Sequence, residues 1–201
     1  MTDDAELDTP MPRLKVTCTS VDCEKNLHCF LKKRGMPEEL HGTCRACNAD
    51  LINWERVHRR DATDQKFVFA ALKNEMIRHY MWHIDLDSDA LRKAQAKGKE
   101  KLYNSVSTRL RSSIGKAQGA FDGRQTPMQG NAIYYAQHAT ATCCRKCLNY
   151  WHDIPTDRAL TLAELAYCEQ LVIGYLEDRL PDLDPQPRAQ QPNKKRSSRR
   201  R

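Results

Sequence analysis

The stretch CTSVDCEKNLHCFLKKRGMPEELHGTCRAC, residues 18–47, packs five cysteines and two histidines into 30 positions. It offers few large apolar residues, too few for a core of its own. A segment this short and polar folds only if something other than hydrophobic burial holds it. Cysteine supplies two candidates, disulfides and metals. The chain carries nine cysteines, an odd number, and opens on MTDDAELDTP, which is acidic and has no apolar leader segment. Both features favour reduced thiols in a cytoplasmic setting, where cysteine clusters with nearby histidines bind metal. The C-x-x-C pair Cys44 and Cys47 can grip one ion from a single turn. Cys18 and Cys23, across a twenty-residue loop, can close the tetrahedron. The expected product is a small zinc-ribbon-like module over residues 15–57. His28, Cys29 and His41 compete for the places of Cys18 and Cys23, because C-x4-C is looser than the usual knuckle. The bland alternative is a set of small buried thiols.

A second cluster lies at HATATCCRKCLNYWH, residues 138–152. Its candidate ligands are His138, Cys144, Cys147 and His152, with Cys143 as an alternate. On a continuous helix Cys143 and Cys144 would point about 100° apart, so one of them would look away from a shared ion. The competing readings are a helix burying its thiols beside Tyr134, Tyr135 and Trp151, or a reactive cysteine. Two zinc ions are therefore expected in all. The ninth cysteine, Cys168, occupies a helix-core position and reads as a buried small hydrophobe.

Between and beyond the clusters the pattern is helical, so the fold class is mainly α. Phe69, Leu72, Met76, Ile77, Tyr80 and Ile84 recur at three- and four-residue steps, predicting one amphipathic helix across residues 61–84 with Lys66, Lys73 and Arg78 between them. Ser88 is a candidate N-cap for a second helix that is interrupted or solvated around Gly98. Residues 132–136 suit a strand or a buried helix start. Thr161 and Glu164 form a capping box, and Leu165, Cys168, Val172, Tyr175 and Leu176 predict a core-facing final helix that Pro181 ends. The organisation is an acidic, disordered segment at 1–14, the Cys-rich module at 15–57, a helical domain at 61–181 and a disordered basic tail at 182–201. No run of about 18 apolar residues exists, so no membrane span is expected.

Net charge is +7, and residues 182–201 hold seven basic against two acidic residues. That balance permits a polyanionic partner. Arg56, Arg59, Arg60, Arg145 and Lys146 beside the clusters, with Lys194, Lys195 and Arg196 in the tail, are candidate nucleic-acid contacts. Solvated helix faces are the plain alternative.

The segments DGRQTPMQG (122–130), AQHATATCCRKC (136–147), WHDIP (151–155) and the terminal helix LTLAELAYCEQLVIGYLED (160–178) resemble a bacterial domain of unknown function, numbered 4186. The similarity spans roughly residues 66–180 and leaves out the Cys-rich module and the tail. It implies that Gln125, Thr126, Pro127, His138, Cys143, Cys144, Cys147, Trp151 and His152 share one site. It implies no activity. Two classes of function follow from the residues. The first is a zinc-binding protein that recognises nucleic acid. The second is an enzyme: a metal-dependent hydrolase, nuclease- or glycosylase-like, or a thiol-based catalyst at the second cluster. In that case Asp122, Arg124, Gln125, Thr126, Gln129 and Asn131 would form a substrate loop. No H-x-E or H-E-x-x-H pattern supports catalysis. Four protein ligands at the second cluster would argue for structure or binding, and three facing a cleft would argue for catalysis.

Overall fold

A computed structural model describes residues 16–117 and 126–185. The protein is mainly helical. Among the described residues there are seven α-helices: α1 (Trp54–His58), α2 (Gln65–Leu72), α3 (Met76–His83), α4 (Ser88–Ser113), α5 (Ala132–Ala139), α6 (Arg145–His152) and α7 (Leu162–Arg179). Among the described residues, extended pairing is confined to two isolated bridges, Asp22 with Leu27 and His28 with Glu75. No described helix is long and apolar enough to cross a membrane.

Helix α7 forms as its sequence predicts. The Thr161 side chain accepts from the Glu164 N–H, and the Glu164 carboxylate accepts from the Thr161 N–H. Leu165, Cys168, Val172, Tyr175 and Leu176 are all buried. Helix α5 lies at the centre, packed on α3, α4 and α7. Its start is a helix and not a strand, because the Asn131 side chain caps it by accepting from Ile133 N–H at 3.0 Å.

The helix expected across residues 61–84 is broken in two. Glu75 is extended (φ −88°, ψ 126°). The break is made by a distant segment: His28 N–H donates to Asn74 O, and Met76 N–H donates to His28 O, both at 2.8 Å. This bridge docks the Cys-rich segment on the helical body. Phe30 is fully buried in the same core as Leu72 and Trp151 and meets the rings of Trp54 and Trp151 edge-on, each at 6.0 Å. A single continuous core therefore runs under both the Cys-rich segment and the helices.

Helix α4 is capped by Asp87 rather than Ser88. The Asp87 carboxylate accepts from Ala90 N–H at 2.8 Å and also from Gly130 N–H and the Tyr135 hydroxyl. The interruption expected at Gly98 is a kink, with φ 70° and ψ 168°. Only glycine takes that backbone cheaply. Lys99 N–H turns out of the helix to donate to Asp184 O at 2.7 Å.

Candidate metal centres

The first cluster gathers Cys23, His28, Cys44 and Cys47, whose ligand atoms all lie within 4.8 Å of one another. Two tight turns present them. A bridge between Asp22 and Leu27 encloses Cys23 in a 3-10 turn that ends on Asn26 at φ 56°. Asn48, at φ 60°, closes the Cys44–Cys47 turn, with Asn48 N–H donating to Cys44 O at 2.8 Å. The Cys23 and Cys44 sulfurs are 3.8 Å apart, and Cys47 Sγ is 3.5 Å from His28 Nδ1. A tetrahedron with sulfur at ~2.3 Å and nitrogen at ~2.0–2.1 Å has edges of about 3.8 and about 3.5 Å. Two edges of the group thus match those of one tetrahedral ion. Burial opposes ionisation of Cys44, but backbone hydrogen bonds at Cys29, Cys47 and Ala46 and the His28 side chain outweigh it and lower the thiol to about 6. Cys44 is therefore ready to ligate as thiolate at neutral pH.

The expected tetrad and the observed group differ at one place: His28 stands where Cys18 was expected. The bridge to Glu75 holds residues 28 and 29 extended, and successive side chains on extended backbone face opposite ways. His28 turns to the knuckle. Cys29 turns inward, fully buried, with its thiol donating to Cys18 O at 3.2 Å. His41 is engaged elsewhere, its Nε2 3.3 Å from Met36 O.

The second cluster gathers Cys143, Cys144 and Cys147. The expected 100° divergence does not arise, because the helix begins only at Arg145. Cys144 is the N-cap, extended at φ −157° and ψ 166°, and its sulfur accepts from Cys147 N–H at 3.5 Å. Arg78, only 1 % exposed, lies against these sulfurs. One guanidinium nitrogen is 3.2 Å from Cys147 Sγ, and another is 3.9 Å from Cys143 Sγ and also donates to His138 O. Arg78 Nε donates to Glu75, whose carboxylate also accepts from the Tyr150 hydroxyl and Trp151 Nε1, each at 2.7 Å. Hydrogen bonds from Cys143, Cys144 and Cys18, with the charge of Arg78, hold the Cys147 thiol well below its ordinary range against the effect of burial.

The two histidines expected here lie outside this group. His138 Nε2 donates to Thr126 O at 3.0 Å. His152 Nε2 donates to Thr140 O at 3.0 Å, and its Nδ1 accepts from the Tyr167 hydroxyl at 3.1 Å. His152 is bonded at both ring nitrogens, whereas the buried His138 Nδ1 has no hydrogen-bond partner among the described residues. Burial pushes His152 down to about 4. The unfolded chain takes up that proton near pH ~6.5. The neutral folded form is thus fully favoured above pH ~6.5, and stability drains away as pH falls from there towards 4, by about 3 kcal/mol in all. We expect the urea midpoint to fall across that window and His152→Gln to flatten the fall by about one proton. An unaltered pH profile in the variant would refute this.

The candidate substrate loop is only partly within the described residues. Asp122, Arg124 and Gln125 lie outside them. Thr126 is buried, donating to Cys143 O at 2.8 Å and accepting from Arg109, and Asn131 caps α5. Gln129 is half-buried. Of the candidate nucleic-acid cations within the described residues, Arg60 and Arg145 are turned to protein, and Arg56 and Arg59 stand in ion pairs at the surface. Arg56 pairs with Asp64 at 2.9 Å, and Arg59 lies 3.7 Å from the same carboxylate. Arg60 donates to His152 O and Asp153 O. Arg145 is buried against the carbonyls of Ile114, Pro155 and Arg158. Lys194, Lys195 and Arg196 lie outside the described residues. Lys146 is exposed and opens on a cleft that sequence reasoning missed.

That cleft, about 590 Å³, lies between the Cys-rich segment and α6. Phe30, Trp54 and Tyr150 give it aromatic walls, and Lys32 and Lys146 stand exposed beside them. Gly42 makes it possible: a Cβ there would sit 2.6 Å from Trp54 Nε1, which donates to Gly42 O at 2.9 Å. The available signal was Trp54 seven residues after a C-x-x-C pair, an aromatic too large to hide in so small a module.

A family model described as a domain of unknown function, DUF4186, matches residues 64–177. That match takes in α2 to α7 and the second cluster, and stops short of the Cys-rich segment. No solved structure matches the chain.

Proposed function

The chain belongs to the DUF4186 family, and on that premise we propose that it is a zinc-binding protein that recognises nucleic acid. Both ions hold the fold, and the cleft beside Trp54 receives a single-stranded segment. The observation that carries this is the cleft itself. Single-stranded nucleic acid is bound by aromatic faces on which bases stack and by cations that follow the phosphates. Trp54 and Tyr150 offer the first, and Lys32 and Lys146 the second. Lys194, Lys195 and Arg196 would add phosphate contacts from the tail.

Zinc is the ion we infer. The first group offers three cysteine sulfurs and one imidazole, with a sulfur–sulfur edge of 3.8 Å and a sulfur–nitrogen edge of 3.5 Å, a set that suits zinc in a closed structural site. The hydrolase and thiol-enzyme alternatives draw less support. They would use His138 or His152; His152 has both ring nitrogens bonded, and His138, though its Nδ1 is open, lies outside the group of three sulfurs.

The test is fluorescence anisotropy with a labelled single-stranded oligonucleotide. Trp54→Ala should weaken binding about tenfold or more, the loss of one stacking contact worth about 1–3 kcal/mol. Trp54→Phe should retain most of it. Lys32→Ala with Lys146→Ala should make the salt dependence shallower by about 1.4 in log–log slope. Affinity indifferent to all three variants would overturn the proposal.

A further inference from the structure

We infer that the cleft beside Trp54 selects guanine, with the Asp153 carboxylate accepting from the N1–H and 2-amino group of a base stacked on Trp54. The inference rests on the reading that this cleft receives a single strand, and it adds which base the cleft prefers.

Asp153 lines the cleft together with Trp54, Tyr150, Lys32 and Lys146. Its backbone is held from two sides. It ends α6 in the left-handed conformation, φ 50° and ψ 40°, and its N–H donates to Asn149 O at 3.0 Å. Arg60 donates to Asp153 O at 2.9 Å and to His152 O at 3.1 Å. The side chain is left over: it is exposed, and its carboxylate makes no hydrogen bond or ion pair with any described residue. The anchored backbone thus presents an uncommitted acceptor to the cleft.

A site that only followed phosphates would have no use for that group. Lys32 and Lys146 attract phosphate, and a carboxylate in the same cleft repels it. The carboxylate calls for a ligand with donors, and bases supply donors on the edges that a single strand leaves open. Two carboxylate oxygens match two adjacent donors, as in bidentate pairing. Guanine offers such a pair, N1–H beside the 2-amino group. Adenine and cytosine place a ring-nitrogen acceptor beside their amino group, and that acceptor would face the second oxygen. Thymine and uracil flank one N–H with carbonyl oxygens. Stacking on Trp54 and Tyr150 accepts every base, because each has a π-face. Discrimination therefore falls to Asp153. At about 590 Å³ the cleft is of ligand-pocket size, which suits one base with its phosphate.

The experiment titrates the full-length chain, by fluorescence anisotropy at fixed salt, with labelled oligothymidines of one length. The central position carries guanine, hypoxanthine, adenine, cytosine or thymine. The guanine strand should bind about tenfold or more tighter than the adenine, cytosine and thymine strands, as one bidentate contact allows. Hypoxanthine keeps N1–H and lacks the 2-amino group, so it should lose most of that preference. Asp153→Asn should abolish the preference without weakening the all-thymine strand. Asparagine also tolerates the left-handed conformation, so the melting temperature should hold and the variant probes the carboxylate alone. The hypoxanthine comparison needs no variant and decides the matter even if Asp153→Asn fails to fold. If the wild type binds every strand equally and Trp54→Ala still weakens each, the selection of guanine falls while the single-strand reading stands. If no strand binds, that reading falls and takes this inference with it. A guanine preference that survives in Asp153→Asn, or that hypoxanthine shares in full, would overturn the carboxylate as its source.

Discussion

Cys44→Ser is expected to strip the first site of its ion and unfold the Cys-rich segment. Cys44 is fully buried, its thiol is lowered to about 6, and its sulfur touches that of Cys23. Within residues 18–47 only Phe30, Met36, the buried cysteines and the His28 bridge hold the segment besides the ion. Metal affinity in sites of this type is folding free energy, with apparent values of about 10–16 kcal/mol for zinc-finger peptides. Loss of one zinc equivalent and a broad fall in thermal stability are therefore anticipated. The effect should spread beyond the segment, because Phe30 packs on Trp151 and the His28 bridge fixes the break between α2 and α3. Near-ultraviolet circular dichroism, which reads Trp54 and Trp151, should change along with the metal content. Unchanged metal content and an unchanged melt would refute the assignment of Cys44.

Arg78→Met is the second large effect. Arg78 and Glu75 are each 1 % exposed and bonded at 2.9 Å. Removing one partner of a buried pair leaves the other charge uncompensated, at a cost of about 3–5 kcal/mol. Glu75 would retain only Tyr150 and Trp151 as donors. The same variant removes the guanidinium from Cys143 and Cys147, so the second ion should be held about 10–100-fold more weakly. Chemical denaturation of the metal-loaded chain measures the first consequence, and chelator competition the second. Adding Glu75→Gln to Arg78→Met should recover part of the stability, because the unpaired carboxylate is gone, and none of the metal affinity. A loss below about 1 kcal/mol for Arg78→Met would mean that water reaches this pair.

Much of the fold was legible from local rules. The capping box at Thr161 and Glu164 predicted α7, and the three- and four-residue spacing predicted its buried face. Gly98 marked the α4 kink, since its conformation is a property of one residue. The two Cys clusters were visible because the C-x-x-C pairs are themselves local, two thiols of one turn.

Other features belong to the tertiary structure alone. The helix expected over residues 61–84 broke at Glu75, because a backbone nearly fifty residues away bonds to either side of it. The same bridge set the extended register of His28 and Cys29, and so decided that His28 and not Cys18 joins the first group. Cys143 and Cys144 converge because the helix starts after them, a boundary that Cys144 makes as N-cap. Arg78 read as an ordinary cation on an amphipathic helix, and it is buried against sulfur. Arg60 and Arg145 read as phosphate contacts, and they hold carbonyls. Each of these outcomes depends on which distant backbone docks where. Chain spacing determines which ligands can share a turn, whereas the burial of Phe30 and Trp151 in one core determines which turns meet.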